Sequence, residues 1–161
     1  MINIRSVKLV EVRGIIEPLL KLHWSEVANY KDTIPLEPDW ECYEALEKKD
    51  AFWACVVEEI HTDVLAGHPV TITTIIGYSA FFISVHPHYK SLCVAENDVL
   101  YLHPEYRKAG IGLKLITESE RMLKDLGVQK IQWHTTFKRD FTPLLIRKGY
   151  IEEDKILSRM L

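Results

Sequence analysis

One segment constrains the fold more than any other: a predicted strand, a glycine-containing loop and an amphipathic helix follow one another within residues 94–127. The β-rich segment Val94–Leu102 predicts the strand, which Pro104 ends. The helix that follows ends at Gly127. The residues predicted to be buried in it recur at spacings of three and four, and they are Leu115, Ile116, Ser119, Met122, Leu123 and Leu126. Such a unit predicts an α/β protein.

The loop of this unit, Arg107-Lys108-Ala109-Gly110-Ile111-Gly112, is suited to binding a phosphate. The two glycines allow a tight turn and a close approach of the backbone to a ligand. The N–H groups at the start of the helix lack partners and lie at the positive end of the helix dipole, so they favour an anion. Lys114 adds charge at the same end. The alternative is that the glycines only form the turn between strand and helix.

Two nucleotide-binding motifs are excluded by the residues present. No G-x-x-x-x-G-K-[ST] string occurs, so the loop is not a Walker A motif. A dinucleotide fingerprint needs a third glycine, where this chain has Leu115, and an acidic residue at the end of the next strand, where it has Trp133-His134.

The remaining pattern predicts one domain over residues 1–161, with a mixed sheet and the order β-α-α-β-β-β-α-β-α-β. A turn is predicted over residues 60–69 and a bulge near Gly77. The other predicted strands are at Ile2–Ile4, Phe52–Val57, 70–85, Val128–His134 and Ile156–Leu161, and the other predicted helices are at 10–29, 38–49 and 141–148.

Charge is divided unevenly along the chain. Residues 1–100 contain eight Lys and Arg against fifteen Asp and Glu, whereas residues 101–161 contain twelve against eight. An anion is therefore easier to place on the C-terminal part and a cation on the N-terminal part. The net charge of −3 and the lack of a stripe of basic and aromatic residues argue against strong nucleic-acid binding.

The sequence also predicts the compartment. No apolar stretch is long enough to cross a bilayer, and the first fourteen residues lack the apolar region of a signal peptide. Cys42, Cys55 and Cys93 are odd in number and show no C-x-x-C spacing, which argues against disulfides and a zinc ribbon. We therefore expect a protein of the reducing cytoplasm that makes no membrane contact and needs no metal.

The segment from Asp98 to Gly112, DVLYLHPEYRKAGIG, resembles motif A of the GNAT N-acetyltransferase superfamily. The ending Arg147-Lys148-Gly149-Tyr150 is similar to the family's ending of the last helix. The segment His86-Pro87-His88-Tyr89-Lys90 resembles short members encoded by tailed bacteriophages. The resemblance implies the GNAT acyltransferase fold, with a mixed sheet of about six to seven strands and about four helices, and the host cytoplasm if the protein is phage-encoded.

The resemblance also implies a binding site for acetyl-coenzyme A. In the family the glycine loop, here residues 107–112, wraps the pyrophosphate, and the preceding strand binds the pantetheine arm through its backbone, here at Leu100 and Leu102. Lys138 occupies the position of a common asparagine and is expected to contact the donor. Leu145 occupies the position of the tyrosine that protonates the departing thiolate in many members, so the usual general acid is missing.

Transfer to an amine requires a base, and Asp98 is the leading candidate. Asp98 and Glu96 alternate with their neighbours and are predicted on one face of the strand. His88 and Tyr89 lie in the predicted loop before this strand. The resemblance implies that this loop is near the acceptor pocket, so the two residues are expected to assist Asp98. His134 is another candidate, although a structural histidine is the more common outcome. A metal site formed by His86 and His88 with Cys93 or His103 would need a fourth ligand.

The function that follows is acetyl transfer from acetyl-coenzyme A to an amine on a small molecule or peptide. Acidic residues clustered at Glu37, Asp39, Glu41, Glu44 and Glu47 favour a cationic acceptor, unless they are only a solvated helix face. Two alternatives remain open: a coenzyme A-binding module without transferase activity, and a relative that modifies nucleobases. Members of the family are often dimers, which implies a homodimer as one state of this chain.

Overall fold

The computed structural model describes residues 1–160 and contains one five-stranded sheet. Its strands lie in sequence order, β1-β2-β3-β4-β5, and neighbours are antiparallel except for β4 and β5, which are parallel. The α/β fold with a mixed sheet that was expected from the sequence is confirmed, although the sheet has five strands rather than six or seven. The strand bounds are β1 Ile2–Val7, β2 Phe52–Leu65, β3 His68–Val85, β4 Cys93–Leu102 and β5 Lys130–Gln132.

Four helices flank the sheet and divide its core into two clusters. Val12 of α1 and Tyr43 of α2 belong to one cluster, whereas Leu115 and Leu123 of α3 belong to the other. Each face of the sheet is therefore covered by helices, as in other layered α/β folds. The helix bounds are α1 Leu9–Val27, α2 Trp40–Glu47, α3 Ile111–Asp125 and α4 Thr142–Arg147. None of the helices in residues 1–160 is long and apolar enough to cross a membrane.

Strand β4 contains a bulge at Asp98. Ala80 of β3 pairs with Val99 and the next residue, Phe81, pairs with Asn97, so Asp98 has no partner across the ladder. The extra residue changes the phase of the strand. Ala95 and Tyr101 are six positions apart and would share a face in a regular strand, yet they pack in the two opposite clusters.

A second bulge confirms the irregularity predicted near Gly77. Val57 pairs with Gly77 and Glu58 with Ile75, so Ile76 is the extra residue. A Cβ at Gly77 would lie 2.6 Å from the carbonyl oxygen of Tyr101, so the close approach of β3 to β4 requires glycine here.

Strand β5 separates from β4 after three residue pairs. Only Val94, Ala95 and Glu96 pair with β5, whereas β4 continues to Leu102. From Asn97 onward the edge of β4 that faces β5 therefore has no strand partner within residues 1–160. No neighbouring strand therefore occupies the backbone groups along this edge, although the Val99 carbonyl accepts from the Asn97 side chain and the Leu102 carbonyl from Arg107.

The turn predicted over residues 60–69 is wrong. Strands β2 and β3 continue as a two-stranded ribbon to a two-residue turn at Ala66-Gly67, where φ is +50° and +82°. Positive φ at both positions is typical of a tight hairpin, and Gly67 supplies it without strain. Asp63 and Pro69, which suggested a loop, lie inside the ribbon.

The strand predicted for the C-terminal segment also differs from the structure. The predicted strand Ile156–Leu161 is absent over residues 156–160, where Ile156 and Leu157 are exposed, and Leu161 lies outside the described residues. Strand β5 forms pairs over only three residues, so it offers a short edge for a further strand. Leu126 is also exposed rather than buried, because α3 ends one residue before it.

Candidate functional site

A cavity of about 370 Å³ lies along the open edge of β4 and reaches the first turns of α3. β4 contributes Asn97, Asp98, Leu100, Tyr101 and Leu102 to its wall. Its other lining residues come from the end of α1, the glycine loop, α3, the segment after β5 and α4. They are His23, Glu26, Val27, Arg107, Gly112, Leu115, Ile116, His134, Thr136, Arg139, Asp140, Phe141 and Leu144. The carboxyl ends of the parallel strands β4 and β5 thus meet at one site.

The glycine loop presents a row of unpaired backbone donors. Ala109 and Gly110 both have positive φ, +72° and +74°, and the first hydrogen bond of α3 runs from Lys114 N–H to the Gly110 carbonyl. Within residues 1–160, the six consecutive N–H groups from Lys108 to Leu113 donate to no protein acceptor. Together with the positive end of the helix dipole, such a row forms an anion-binding site.

Arg107 does not extend freely from this loop. Its Nε donates to the Leu102 carbonyl at 2.8 Å, and its Nη2 donates to both carboxylate oxygens of Glu26 at 2.9 Å. Arg139 donates to the same carboxylate at 3.0 Å. Burial alone would raise the pKa of Glu26, but the hydrogen bonds and charges of the two arginines outweigh burial and hold that pKa below its usual value. One carboxylate therefore joins α1 to the glycine loop and to the segment before α4.

The three lysines that the sequence analysis associates with the ligand site, Lys108, Lys114 and Lys138, have different surroundings in the structure. Lys108 and Ile111 belong to the row of open N–H groups, and Lys114 donates from Nζ to the Ile2 carbonyl at 3.3 Å. Lys138 does not line the cavity, and its Nζ donates to the Ala28 carbonyl at 2.7 Å. Because α1 has no basic residue in its last turn, Lys138 provides the cation at the negative end of that helix.

Asp98 projects from the bulge of β4 into the cavity. Tyr43 of α2 donates its hydroxyl to Asp98 Oδ2 at 3.1 Å. Although the side chain is open to the cavity, the surrounding walls displace bulk water, and this desolvation raises the pKa of Asp98. The Tyr43 hydrogen bond and the charge of His134 act in the opposite direction and are outweighed.

Glu96 and His134 form a pair at the same site. His134 lines the cavity just beyond β5, and its Nε2 lies 3.3 Å from Glu96 Oε1. Glu96 therefore has a partner other than Asp98, and an ionisable imidazole stands beside the candidate base.

The two residues expected to assist Asp98 are not brought to it. His88 and Tyr89 lie in the loop between β3 and β4, where their rings pack on each other and on His86. Five residues of strand, about 17 Å, separate that loop from Asp98, and neither residue lines the cavity. Residues 1–160 contain no cluster of three or more His, Cys, Asp and Glu side chains arranged to hold a metal.

Tyrosine hydroxyls without partners lie beneath α1. The hydroxyls of Tyr78 and Tyr101 are buried and form no hydrogen bond within the described residues. Tyr101 lines the cavity, packs against the ring of His23 at 5.3 Å and lies under the Arg107 guanidinium at 5.5 Å. Burial lowers the pKa of His23, and the nearby Arg107 lowers it further against the opposing effect of Glu26.

Helix α4 presents no proton donor to the cavity. Leu145, at the position of the tyrosine implied by the resemblance, is buried, and Leu144 lines the cavity beside Phe141. The side chains of this wall are therefore apolar.

Sequence reasoning missed His23, Glu26, Tyr43 and Arg139. Arg139 follows a strand parallel to β4, and the rule that sites form at the carboxyl ends of parallel strands could have identified it. The other three lie on α1 and α2, more than fifty residues before the motif, and no local pattern links them to it.

The sequence model of the acetyltransferase (GNAT) family matches residues 19–141, more than half of the chain. A search of curated proteins finds no match.

Solved structures with similar folds cover nearly the whole chain. A ribosomal-protein-alanine N-acetyltransferase from Brucella melitensis biovar Abortus 2308 is 17% identical with a TM-score of 0.70, and the alignment covers 100% of this chain and 97% of that one. An aminoglycoside acetyltransferase from an uncultured soil metagenomic sample, in complex with sisomicin, is 16% identical with a TM-score of 0.68, over 99% and 96%. A predicted acetyltransferase with acetyl-CoA from Clostridium acetobutylicum is 15% identical with a TM-score of 0.68, over 99% and 96%. At sequence identities of 15–17%, the structural similarity shows only that this chain shares the fold of these proteins.

Proposed function

The chain belongs to the acetyltransferase (GNAT) family, and on that basis we propose that it transfers an acetyl group from acetyl-coenzyme A directly to an amine acceptor. The observation that supports this best is the row of six unpaired N–H groups at Lys108–Leu113. The row lies beside a cavity that runs along the unpaired edge of β4, and Gly112 of the row lines that cavity. A ligand with an anionic end and an extended polar arm suits that combination.

The residues fit the donor in chemical type. The N–H groups of residues 108–113 would hold its pyrophosphate, and the absence of a side chain at Gly112 leaves room there, since a Cβ would meet no atom within 4 Å. The backbone of β4 at Leu100 and Leu102, which line the cavity, would hold the pantetheine arm, with the Leu102 carbonyl shared with Arg107. Acetyl-coenzyme A supplies an acetyl thioester, whose carbonyl carbon can accept an amine.

Asp98 is the base in this proposal. It takes the proton that the amine must lose as the C–N bond forms and the C–S bond breaks. The desolvation that raises its pKa makes it a better proton acceptor than an ordinary carboxylate. His134 stands beside it, so the assistance that the sequence assigns to His88 and Tyr89 falls to the Glu96–His134 pair.

The thiolate leaves without a proton from α4. Leu144 and Leu145 offer none, and therefore the thiolate departs as the anion and is protonated by solvent. A thiol pKa not far above neutrality makes such a departure feasible.

The acceptor proposed is a cationic amine. The acidic cluster of α2 supports this less than its sequence suggests, because Glu44 pairs with Arg13, Glu47 accepts from Leu9 N–H, and Asp39 caps the helix. The stronger support is the carboxylate of Asp98, which faces the cavity. The resemblance of His86–Lys90 to phage proteins supports a phage-encoded protein of the host cytoplasm.

Two measurements test the proposal. Calorimetric titration with acetyl-coenzyme A measures donor binding, and release of free thiol measures transfer to a panel containing spermidine, an aminoglycoside and a peptide with N-terminal alanine. We expect binding in the micromolar range and thiol release that depends on at least one amine. Absence of donor binding would contradict the proposal.

The second candidate is a coenzyme A-binding module without transferase activity, which the apolar wall of α4 favours. Donor binding with no thiol release across the panel would support this candidate instead. A further alternative is that the protein modifies a nucleobase. In that case it should bind nucleic acid with an affinity that falls steeply as the salt concentration rises, which a gel-shift assay at two salt concentrations measures.

A further inference from the structure

Tyr43 contacts the candidate base from outside the cavity wall. It belongs to α2, is 55 residues from Asp98 in the sequence, and donates its hydroxyl to Asp98 Oδ2 at 3.1 Å. No other hydrogen bond to the Asp98 carboxylate forms within residues 1–160. The second oxygen, Oδ1, is thus left to accept a proton or a hydrogen bond from a molecule in the cavity.

The ring of Tyr43 is fixed by aromatic neighbours. It stacks on Phe82 with a centroid distance of 5.9 Å and an angle of 15°, and it meets Phe52 edge to face at 5.0 Å. The helix that holds it is anchored at its start, where Asp39 accepts from Cys42 N–H at 2.9 Å. The hydroxyl is therefore presented in one direction, because aromatic pairs of this kind restrict ring motion.

Asp98 needs such a fixed partner because of its place in the strand. As the extra residue of the bulge, it has no residue opposite it in the ladder to set its orientation. The other titratable groups that act on it are the Tyr78 phenol from β3 and the His134 imidazole, which is engaged with Glu96. Neither of them forms a hydrogen bond with its carboxylate.

We propose that Tyr43 is a positioning residue for the base: its hydroxyl orients the Asp98 carboxylate toward the acceptor and stabilises the ionised form. The inference rests on the proposed function for the role of Asp98, but the contact itself does not. Without the Tyr43 hydroxyl, the ionised carboxylate of Asp98 loses a hydrogen bond while its surroundings stay the same. The pKa of Asp98 therefore rises further.

The test compares Tyr43→Phe with the wild type and with Tyr150→Phe. The control removes a phenol that donates to Glu120 at 2.9 Å, a contact of the same chemistry between two residues that do not line the cavity. The Asp98 carboxyl carbon is followed by NMR during a pH titration of the protein alone, and its signal is identified by its loss in Asp98→Asn. We expect Asp98 to titrate at higher pH in Tyr43→Phe and at the wild-type pH in Tyr150→Phe.

Thiol release from acetyl-coenzyme A with the amine panel provides the second readout. In Tyr43→Phe, kcat should fall about tenfold at pH 7, with a larger loss at pH 6 than at pH 8 and an unchanged KM for acetyl-coenzyme A. An unchanged titration of Asp98 in Tyr43→Phe would overturn the inference. A wild type that binds no donor or releases no thiol would contradict the proposed transfer instead, and the NMR titration would still decide whether Tyr43 acts on Asp98.

Discussion

Nη2 of Arg107 lies 2.9 Å from both carboxylate oxygens of Glu26, although the two residues are 81 positions apart in the sequence. Arg139 shares the same carboxylate. A single acidic side chain in the wall of the cavity therefore balances two guanidinium groups, and it connects three segments of the chain.

Glu26→Gln is expected to destabilise the protein at neutral pH by up to about 1 kcal/mol, the scale of an ion pair near the surface. Because the arginines hold the folded pKa of Glu26 below its usual value of 4.5, the ion pairs stabilise the protein above that pH. This contribution is lost as the pH falls through the folded pKa. Thermal melts should therefore separate variant and wild type at pH 7 and bring them together in acid.

Glu17→Gln is the control for that comparison, since Glu17 lies on the same helix and pairs only with Lys21 on an exposed face. An equal loss of stability in both variants at pH 7 would contradict a special role for Glu26.

Gly112→Val is expected to abolish binding of acetyl-coenzyme A without unfolding the protein. A side chain at this position meets no atom of the protein within 4 Å, so it would occupy space inside the cavity. Valine also favours the helix by roughly half a kcal/mol over glycine. Calorimetry measures the binding and thermal melting measures the fold. Gly14→Val, in open space on α1, should bind normally, and unchanged binding in Gly112→Val would disprove the phosphate-loop assignment.

Arg107→Ala is expected to weaken binding of acetyl-coenzyme A by roughly 1–3 kcal/mol, the scale of a charge-assisted hydrogen bond. Added salt should shrink the difference from the wild type, because it screens an exposed charge. Titrations at two salt concentrations measure both effects. Arg121→Ala removes an exposed arginine that pairs with Glu118 and Asp125, and its affinity should match the wild type. Equal losses in the two variants would show a general effect of removing positive charge and would contradict a contact between Arg107 and the donor.

Asp98→Asn is expected to lower turnover by roughly 100-fold while sparing affinity for acetyl-coenzyme A. The loss should be smaller at high pH, where more of the amine is already neutral. Steady-state thiol release with the panel amines measures it, and Asp63→Asn, at the exposed hairpin, is the control. Turnover equal to the wild type would remove Asp98 as the base.

Asp98→Asn should also slightly raise the melting temperature of the protein at pH 7. Desolvation raises the folded pKa of Asp98 above its ordinary value of 3.8. The stability that the group contributes is therefore complete below that value and is lost as the pH rises through the folded pKa. At neutral pH the wild type retains an ionised group that is open to the cavity but partly desolvated by its walls, whereas the amide is neutral, so the expected shift is small.

Local patterns predicted the unit from β4 to α3 because each of its signals lies within a few residues. Gly127 ends α3 as expected: its φ is +87°, and the N–H of Val128 bonds to the Leu123 carbonyl. The bulge near Gly77 was predictable for the same reason, since a glycine inside a β-rich run marks a close approach.

Contacts between residues far apart in the sequence could not be predicted from local patterns. Nothing near Tyr43 indicates a contact with Asp98, and Glu26 has the surroundings of an ordinary helix residue. The strand expected at Ile156–Leu161 failed because an apolar alternation needs an available partner edge, and β5 forms pairs over only three residues. His88 and Tyr89 were assigned through the resemblance, which places a loop near the acceptor without stating at which end of β4 it lies.

The bulge at Asp98 also limits how the length of this chain can change. Deleting Asp98 would leave Asn97 opposite Phe81 and Val99 opposite Ala80, so Tyr101 and Leu102 would keep their faces while the strand lost its bulge and the candidate base. An insertion there would displace the glycine loop relative to the cavity by one residue. Insertions and deletions are therefore tolerated in the loop of His86–Leu92, whereas β4 from its bulge to Arg107 must keep a fixed number of residues.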